Sequence, residues 1–291
     1  MTNFDAEYSY LQHDGGTTHY QVDGLPAAPL VVLVSGATLP LPVWDPLMAP
    51  LAASGFRVLR FDLSGRGRSS TLSVEPGLPS DFAQIESLLD ALKCSGPVHL
   101  VGLASGAISI SAFAEAKIRP VASLSLIAPD GISTLSLKER LFVAPLIGEI
   151  VMATIAGRIM LKRVLQYSRN PAVQDFLCGL TAHALTGEWY RSAVLAYARA
   201  MPLDQGLSHY QRAARLGTPL RVICGADDQI NPIEMMTALR AELPSKDFIA
   251  LTNVGHIPHA EVAEEVAASL AQHFRANDGQ RYPSRERSAN V

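Results

Sequence analysis

A sharp corner between an apolar run and an alanine-rich run constrains this chain more than any other feature. Residues 97–103 read PVHLVGL, a short apolar run with β-branched residues that predicts a buried parallel strand. Residues 105–116 carry apolar side chains at helical spacing and predict a helix. Between them, residues 102–106 (GLASG) have glycines where strand and helix pass too closely for side chains. This order predicts a strained turn that presents Ala104 above a sheet.

Five further apolar runs surround this corner in a pattern that predicts one sheet. The runs are short and mostly separated by helical patterns, which is typical of a mostly parallel sheet with helices on both faces. Two earlier runs, 7–13 and 19–22, are separated by Asp14-Gly15-Gly16 and predict an antiparallel hairpin. We therefore predict an α/β fold built on a twisted sheet. The five runs are residues 30–34, 57–61, 121–127, 219–224 and 247–251.

The pattern changes between residues 132 and 215, where only helical segments occur. An all-helical block between two strands is typical of a cap over the carboxyl ends of the strands, where parallel sheets bind ligands. We predict a core of residues 1–131 and 216–275, a helical cap of residues 132–215, and a disordered polar tail of residues 276–291. Two alternatives stay open for the cap: its apolar faces cover an apolar pocket, or they pack only on one another.

Charge and cysteine content exclude several classes of function. A net charge of −3 offers no basic surface for nucleic acid. The three cysteines (Cys94, Cys178 and Cys224) are widely spaced, which favours reduced thiols in a cytoplasmic protein. The N-terminal residues lack a basic segment followed by an apolar one, so no signal peptide is expected. Residues 141–161 are mostly apolar but contain a proline and two charges, each costing roughly 3 kcal/mol at a bilayer centre, so we expect a pair of lid helices rather than a membrane span.

The corner at residues 102–106 resembles the nucleophile elbow of the α/β-hydrolase fold family, whose pattern is G-x-S-x-G. The family's nucleophilic serine matches Ala104, and a methyl group cannot attack a carbonyl. Ser105 lies one position later, where the family uses a backbone N–H in the oxyanion hole. Moving the corner along to place Ser105 at its tip would lose both flanking glycines, so a nucleophilic role for Ser105 is disfavoured.

Two later loops resemble the family's acid and base motifs. Residues 225–232 (GADDQINP) match G-x-x-D-x-x-x-P and place the acid at Asp228. Residues 255–261 (GHIPHAE) match G-H-x-x-x-x-E and place the base at His256. Positions 104, 228 and 256 follow the family's order of nucleophile, acid and base. The resemblance implies that Asp228 holds the imidazole of His256, which takes and returns the proton.

The resemblance also implies the rest of the pocket. Ser35-Gly36-Ala37 follows an early strand, at a place where the family usually has His-Gly, and implies the Ala37 N–H as the second oxyanion donor. Gly36, Trp189 and His259 are candidate substrate neighbours, with a structural role as the alternative for His259. Residues 62–69 match D-x-x-G-x-G-x-S, which we interpret as a structural turn because no phosphate-binding motif follows.

Three interpretations of Ala104 follow, ranked in this order. The first is a hydrolase for a small, largely apolar ester, thioester or lactone whose nucleophile position has been disabled. The second is a lyase or cofactor-free oxygenase in which His256 and Asp228 act as a general base without a nucleophile. The third is a non-catalytic protein that binds a small ligand. The partner is a small molecule in all three; neither a cofactor nor a metal is expected, because no nucleotide or metal-ligand pattern occurs.

Overall fold

The computed structural model describes residues 9–13, 16–244 and 247–278. Within this part, eight strands form one sheet in the order β1-β2-β4-β3-β5-β6-β7-β8. β2 pairs antiparallel with β1 and β4, and every later pair is parallel. The predicted α/β class is therefore confirmed. The strands are β1 (Ser9–His13), β2 (Gly16–Asp23), β3 (Leu30–Val34), β4 (Arg57–Phe61), β5 (Val98–Leu103), β6 (Val121–Ile127), β7 (Leu220–Gly225) and β8 (Phe248–Leu251).

Both faces of the sheet are buried, because successive residues of the central strands point into two different cores. In β3, Val32 and Val34 belong to one hydrophobic cluster, whereas Val31 and Leu33 belong to the other. This explains why the central strands read as continuous apolar runs rather than as alternating ones. The helices that cover one face are α1 (Asp45–Ala53), preceded by a 3₁₀ turn (Leu41–Trp44), and α12 (Ala263–Asn277); those on the other are α2 (Leu78–Ala91), α3 (Ser105–Ala116) and α10 (Ile233–Glu242).

Six helices lie between β6 and β7, in the block where the sequence predicts only helices. We call this block the helical insertion. It has a small hydrophobic cluster of its own around Met152, Tyr190 and Val194. Its last helix packs on α3, so the insertion is joined to the corner that carries Ala104. The helices are α4 (Leu137–Val143), α5 (Ile147–Thr154), α6 (Ala156–Val164), α7 (Pro171–Ala184), α8 (Tyr190–Ala200) and α9 (Gly206–Arg215).

Some boundaries differ from the sequence expectation. The last helix continues to Asn277, into the segment assigned to a tail, because the buried Asn277 side chain donates to the His273 carbonyl oxygen. The rest of that tail and the turn at Asp14-Gly15 lie outside the described residues. The short helix α11 (Pro258–Glu261) follows the β8 loop directly. Of the helices described, none combines the length and the apolar character that a membrane crossing requires.

Candidate active site

Residue 104 occupies the tip of the corner between β5 and α3. Its backbone has φ 51° and ψ −116°, in a region that residues with a side chain rarely adopt. A Cβ at Gly102 would lie 2.6 Å from the Ala107 Cα, and one at Gly106 would collide with the Val34 carbonyl oxygen. The glycines are therefore required for close approach, as the sequence predicts. Ala104 remains partly exposed while its neighbours on α3 are buried, so the strained turn presents this side chain.

His256 and Asp228 follow neighbouring strands and form a buried hydrogen-bonded pair. Asp228 Oδ2 lies 2.8 Å from His256 Nδ1. The other carboxylate oxygen accepts hydrogen bonds from the backbone N–H groups of Ile230, at 2.7 Å, and Asn231, at 3.0 Å. An ionised carboxylate can only accept, so in the neutral imidazole Nδ1 carries the proton and Nε2 keeps its lone pair. The pair can therefore take up a proton at His256 Nε2.

Tyr167, in the loop after α6, lies against this pair. Its carbonyl oxygen accepts a 2.7 Å hydrogen bond from the His256 backbone N–H, and the two rings lie 4.8 Å apart between centroids. Burial raises the pKa of the Tyr167 hydroxyl, which bonds to Arg163 and Thr38. The hydroxyl is therefore neutral at neutral pH. No motif marks this residue, because its contact with His256 joins two segments far apart in the sequence.

The backbone N–H groups of Ala37 and Ser105 are the two predicted oxyanion donors. Gly36 lies beside the corner, since a Cβ placed on it would be 3.4 Å from the Ala104 Cβ. Ser105 is the first residue of α3, so its N–H has no acceptor within the helix. In the described part of the chain, the Ala37 N–H donates no hydrogen bond. Preorganised donors without another partner are what stabilises a developing oxyanion.

The Ser105 side chain does not take part in this arrangement. It is 1% exposed, and its hydroxyl has no hydrogen-bond partner among the described residues. The structure therefore places Ser105 Oγ in the interior, whereas Ala104 is the residue presented outward. A role for Ser105 through its backbone N–H alone stays a prediction.

A buried polar network supports the loop that carries Ala37. Arg66 Nε donates to the Ala37 carbonyl oxygen at 3.1 Å, and its guanidinium carbon lies 4.3 Å from the centre of the Tyr197 ring. The Tyr197 hydroxyl donates to Asp81 Oδ2 at 2.8 Å, and Ser109 Oγ donates to the same oxygen. Burial raises the pKa of Asp81 to about 6. Because Tyr197 lies on α8 and Ser109 on α3, the network joins the helical insertion to the corner.

The two remaining candidate substrate neighbours occupy different environments. His259 is fully buried: its ring lies 4.5 Å from the Trp44 ring, and its Nε2 donates to the Val43 carbonyl oxygen at 3.1 Å. Burial lowers the pKa of His259 to about 3, so this imidazole is neutral. Trp189, before α8, is 52% exposed. Within the described residues, no hydrogen bond or ring contact joins the Trp189 side chain to His256 or to residue 104.

A cavity of about 340 Å³ opens away from this site. It lies between the loop before α1, the loop after β4, and α7, and neither Ala104 nor His256 lines it. His19 and Asp62 do line it and form a second histidine–aspartate pair, with Nδ1 and Oδ2 2.6 Å apart. No group of three or more metal-ligating side chains occurs among the residues described.

Comparison with known proteins supplies the family. The sequence profile of the alpha/beta hydrolase family matches residues 31–269. A 2-hydroxy-6-oxononadienedioate/2-hydroxy-6-oxononatrienedioate hydrolase of Cupriavidus pinatubonensis is 26% identical over 219 residues, which cover 71% of this chain and 72% of that protein.

Solved structures agree on the fold. A thermophilic esterase from Thermogutta terrifontis superimposes with a TM-score of 0.77 at 22% identity, covering 93% of this chain and 99% of the esterase. The enol-lactonase from Burkholderia xenovorans superimposes with a TM-score of 0.74 at 19% identity, covering 92% and 100%. With the profile match over most of its length, this chain belongs to the α/β hydrolase family.

Proposed function

We propose that this chain binds a small, largely apolar ester, thioester or lactone in a serine-hydrolase site whose nucleophile position is disabled by Ala104. The observation that carries the proposal is the backbone of residue 104. A residue other than glycine held at a positive φ, here 51°, costs on the order of 1–3 kcal/mol in strain and persists where that strain serves a functional site. An alanine methyl gains nothing from being presented by a strained turn, so the turn fits a reactive side chain at this position.

The side chains and backbone N–H groups around residue 104 would have different roles in the reaction. Asp228 fixes the tautomer of His256, and Nε2 of that imidazole would take the proton from a nucleophile and return it to the leaving group. The N–H groups of Ala37 and Ser105 would hold the negative oxygen of the tetrahedral intermediate. In the chain as it stands, a substrate would be bound and polarised without forming an acyl intermediate, and we expect little or no covalent turnover.

The relatives support a carbonyl compound as the substrate. The named proteins are an esterase, an enol-lactonase and a hydrolase of a 2-hydroxy-6-oxo dicarboxylate, each of which acts on a carbonyl compound. The helical insertion would act as the cap over residues 1–131 and 216–275, because Tyr167 lies on His256 and the Tyr190 hydroxyl donates to the Thr38 carbonyl oxygen at 2.7 Å.

One observation favours a second candidate. The His256–Asp228 pair is complete and buried although Ala104 supplies no nucleophile, so the pair could act as a general base towards water or an acidic substrate proton. That reaction would be of the lyase or cofactor-free oxygenase type. It predicts activity that depends on His256 in the chain as it stands and that Ala104→Ser does not increase.

The test compares the hydrolysis of short-chain p-nitrophenyl esters by this chain and by its Ala104→Ser variant. Because loss of the nucleophile in a serine protease costs about 10⁶ in rate, we expect Ala104→Ser to raise kcat/KM by at least about 10³. A fluorophosphonate probe should label that variant and leave the parent unlabelled.

The matched control carries Ser105→Ala in each background. Labelling that disappears with Ser105→Ala in the parent chain would show that Ser105 is the nucleophile and would overturn the proposal. Absence of any gain with Ala104→Ser, with the fold intact by circular dichroism, would move the general-base and ligand-binding candidates ahead.

A further inference from the structure

The first three helices of the insertion expose an unusual number of large apolar side chains. Leu146 is 77% exposed, Leu137 73% and Ile150 62%, values typical of a polar surface residue. Large exposed apolar patches on a monomer mark places where the protein meets a partner or a membrane. The others on α4–α6 and their connections are Leu141, Ile147, Ile155 and Ile159.

On α4 and on α5, these side chains share one face of the helix. Leu137 and Leu141 are four residues apart on α4, and Ile147 and Ile150 are three apart on α5, so each pair shares a face. α4 packs on α5 and α5 on α6, and the opposite face of α5 buries Met152 in the insertion's own cluster. These apolar faces therefore remain exposed to solvent in the folded insertion.

The exposed Leu146 has a strained backbone conformation. Its φ of 68° lies in the left-handed region, which glycine adopts freely and a leucine does not. Glycine at this position would relieve the strain and remove an exposed apolar side chain. Folding stability alone therefore does not explain a leucine here.

The exposed charges on the same helices that lack an ion-pair partner among the described residues are positive. Lys138, Arg140, Arg158 and Lys162 are exposed and form no ion pair with a carboxylate of the described residues. The two acidic residues of α4–α6 are already engaged. Glu139 closes the capping box of α4 with Ser136, and Glu149 is paired with Arg199. The exposed apolar side chains thus lie among uncompensated cations on a chain whose net charge is −3.

We infer that the α4–α6 face docks on the surface of an anionic lipid bilayer. Apolar side chains would enter the boundary between headgroups and acyl chains, and the four cations would meet anionic headgroups, as in interfacial amphipathic helices. These helices are far too short to cross the bilayer, so they would lie in its surface. Docking here would bring the insertion, which carries Tyr167, next to a source of apolar carbonyl compounds.

The test is co-sedimentation of the full chain with vesicles of phosphatidylcholine alone and of phosphatidylcholine with phosphatidylglycerol. We expect binding to the anionic vesicles that falls as salt is raised, and much weaker binding to the neutral ones. Leu146→Gly should weaken binding about tenfold while leaving the thermal midpoint equal or higher. Lys138→Gln and Lys162→Gln should each weaken binding about fivefold.

Matched controls separate this face from the rest of the surface. Leu25 is 76% exposed, almost as much as Leu146, but lies before β3, so Leu25→Gly should leave binding unchanged. Lys117→Gln, at an exposed cation after α3, should do the same. Equal losses in the control variants, or no binding to anionic vesicles, would overturn the inference. So would sedimentation velocity showing a dimer that Leu146→Gly dissociates, because the face would then pair two copies of the chain.

Discussion

Two buried histidine–aspartate pairs of similar geometry, His256–Asp228 and His19–Asp62, lie near the carboxyl edge of the sheet. Their Nδ1 to Oδ2 distances are 2.8 Å and 2.6 Å, and all four side chains are nearly inaccessible. Geometry within the pair therefore does not distinguish a candidate catalytic dyad from a structural one. The difference lies in what else each carboxylate binds.

Asp62 holds together segments that are distant in sequence. Its Oδ1 accepts from the Leu41 backbone N–H at 2.6 Å, and its Oδ2 accepts from the Arg68 backbone N–H at 2.9 Å as well as from His19. Gly67 lies so close that any Cβ would collide with the carboxylate. Each oxygen thus faces a backbone donor from a different part of the loop region, which is the behaviour of a structural centre.

The backbone donors to Asp228 come from its own loop. Ile230 and Asn231 are two and three residues away and both donate to Oδ1, so that among the described residues Oδ2 bonds to His256 alone. Oδ1 holds the backbone of the loop, whereas Oδ2 bonds to His256. The protonation state of His256 can therefore change without breaking the hydrogen bonds that hold the loop. Replacement of each aspartate by asparagine should therefore have opposite consequences.

The largest expected effect is on activity, from Asp228→Asn in the Ala104→Ser background. Asparagine can turn its oxygen towards Ile230 and Asn231 and its amide towards His256 Nδ1, which preserves the fold but imposes the wrong tautomer. In a serine protease the equivalent change lowers kcat about 10⁴-fold. We expect a similar loss in the rate of ester hydrolysis. The thermal midpoint of unfolding should stay close to that of the parent. A large drop in midpoint instead would show that Asp228 is structural like Asp62.

The sequence predicts the second pair much less well than the first. Asp228 and His256 each lie in a motif of several residues after an apolar run, so local pattern was enough to select them. The pairing of His19 with Asp62 joins residues 43 positions apart, and no local pattern reports it. The same limit applies to Tyr167 on His256 and to Arg66 on the Ala37 carbonyl.

The fold itself was more accessible to sequence reasoning, because strands buried on both faces and a glycine-flanked corner leave strong local signals. The β5–α3 corner appears where residues 102–106 place it. Contacts between the insertion and the core are set by tertiary packing of side chains such as Tyr197 and Tyr190. The Tyr197 hydroxyl donates to Asp81 on α2 and the Tyr190 hydroxyl to the Thr38 carbonyl oxygen, acceptors that only folding brings near.

The next largest effect should be on stability, from Asp62→Asn. In either orientation the new amide would face a backbone N–H, either the buried one of Leu41 or the part-buried one of Arg68, and that donor would lose its acceptor. We expect the free energy of unfolding to fall by about 3 kcal/mol. In the Ala104→Ser background, kcat of the remaining folded protein should stay within about threefold of the parent, measured below the unfolding transition. A selective loss of kcat without loss of stability would assign chemistry to this pair as well.

His259 is a third buried histidine, and among the described residues it has no carboxylate partner. It extends the comparison to the pH dependence of stability. The pKa of His259 is lowered to about 3 by burial, so the unfolded chain binds a proton below pH 6.5 that the folded chain excludes. Stability from this group is present above pH 6.5 and is lost as pH falls towards 3. Relative to His259→Phe, which keeps a ring beside Trp44, the parent should lose about 2 kcal/mol between pH 7 and pH 5 in urea titrations. An unchanged difference between the two pH values would contradict the neutral state of this imidazole.

The smallest effect should come from Ser105→Ala, which tests how residue 104 differs from its neighbour at the same corner. The Ser105 hydroxyl is buried and has no hydrogen-bond partner among the described residues, so removing it leaves no partner unsatisfied. The free energy of unfolding should change by less than about 0.5 kcal/mol, and kcat in the Ala104→Ser background should change by less than about twofold, since only the backbone N–H would contribute. A loss of activity well beyond twofold at unchanged stability would mean that the hydroxyl reaches the substrate, and the division between a presented residue 104 and a backbone-only Ser105 would have to be abandoned.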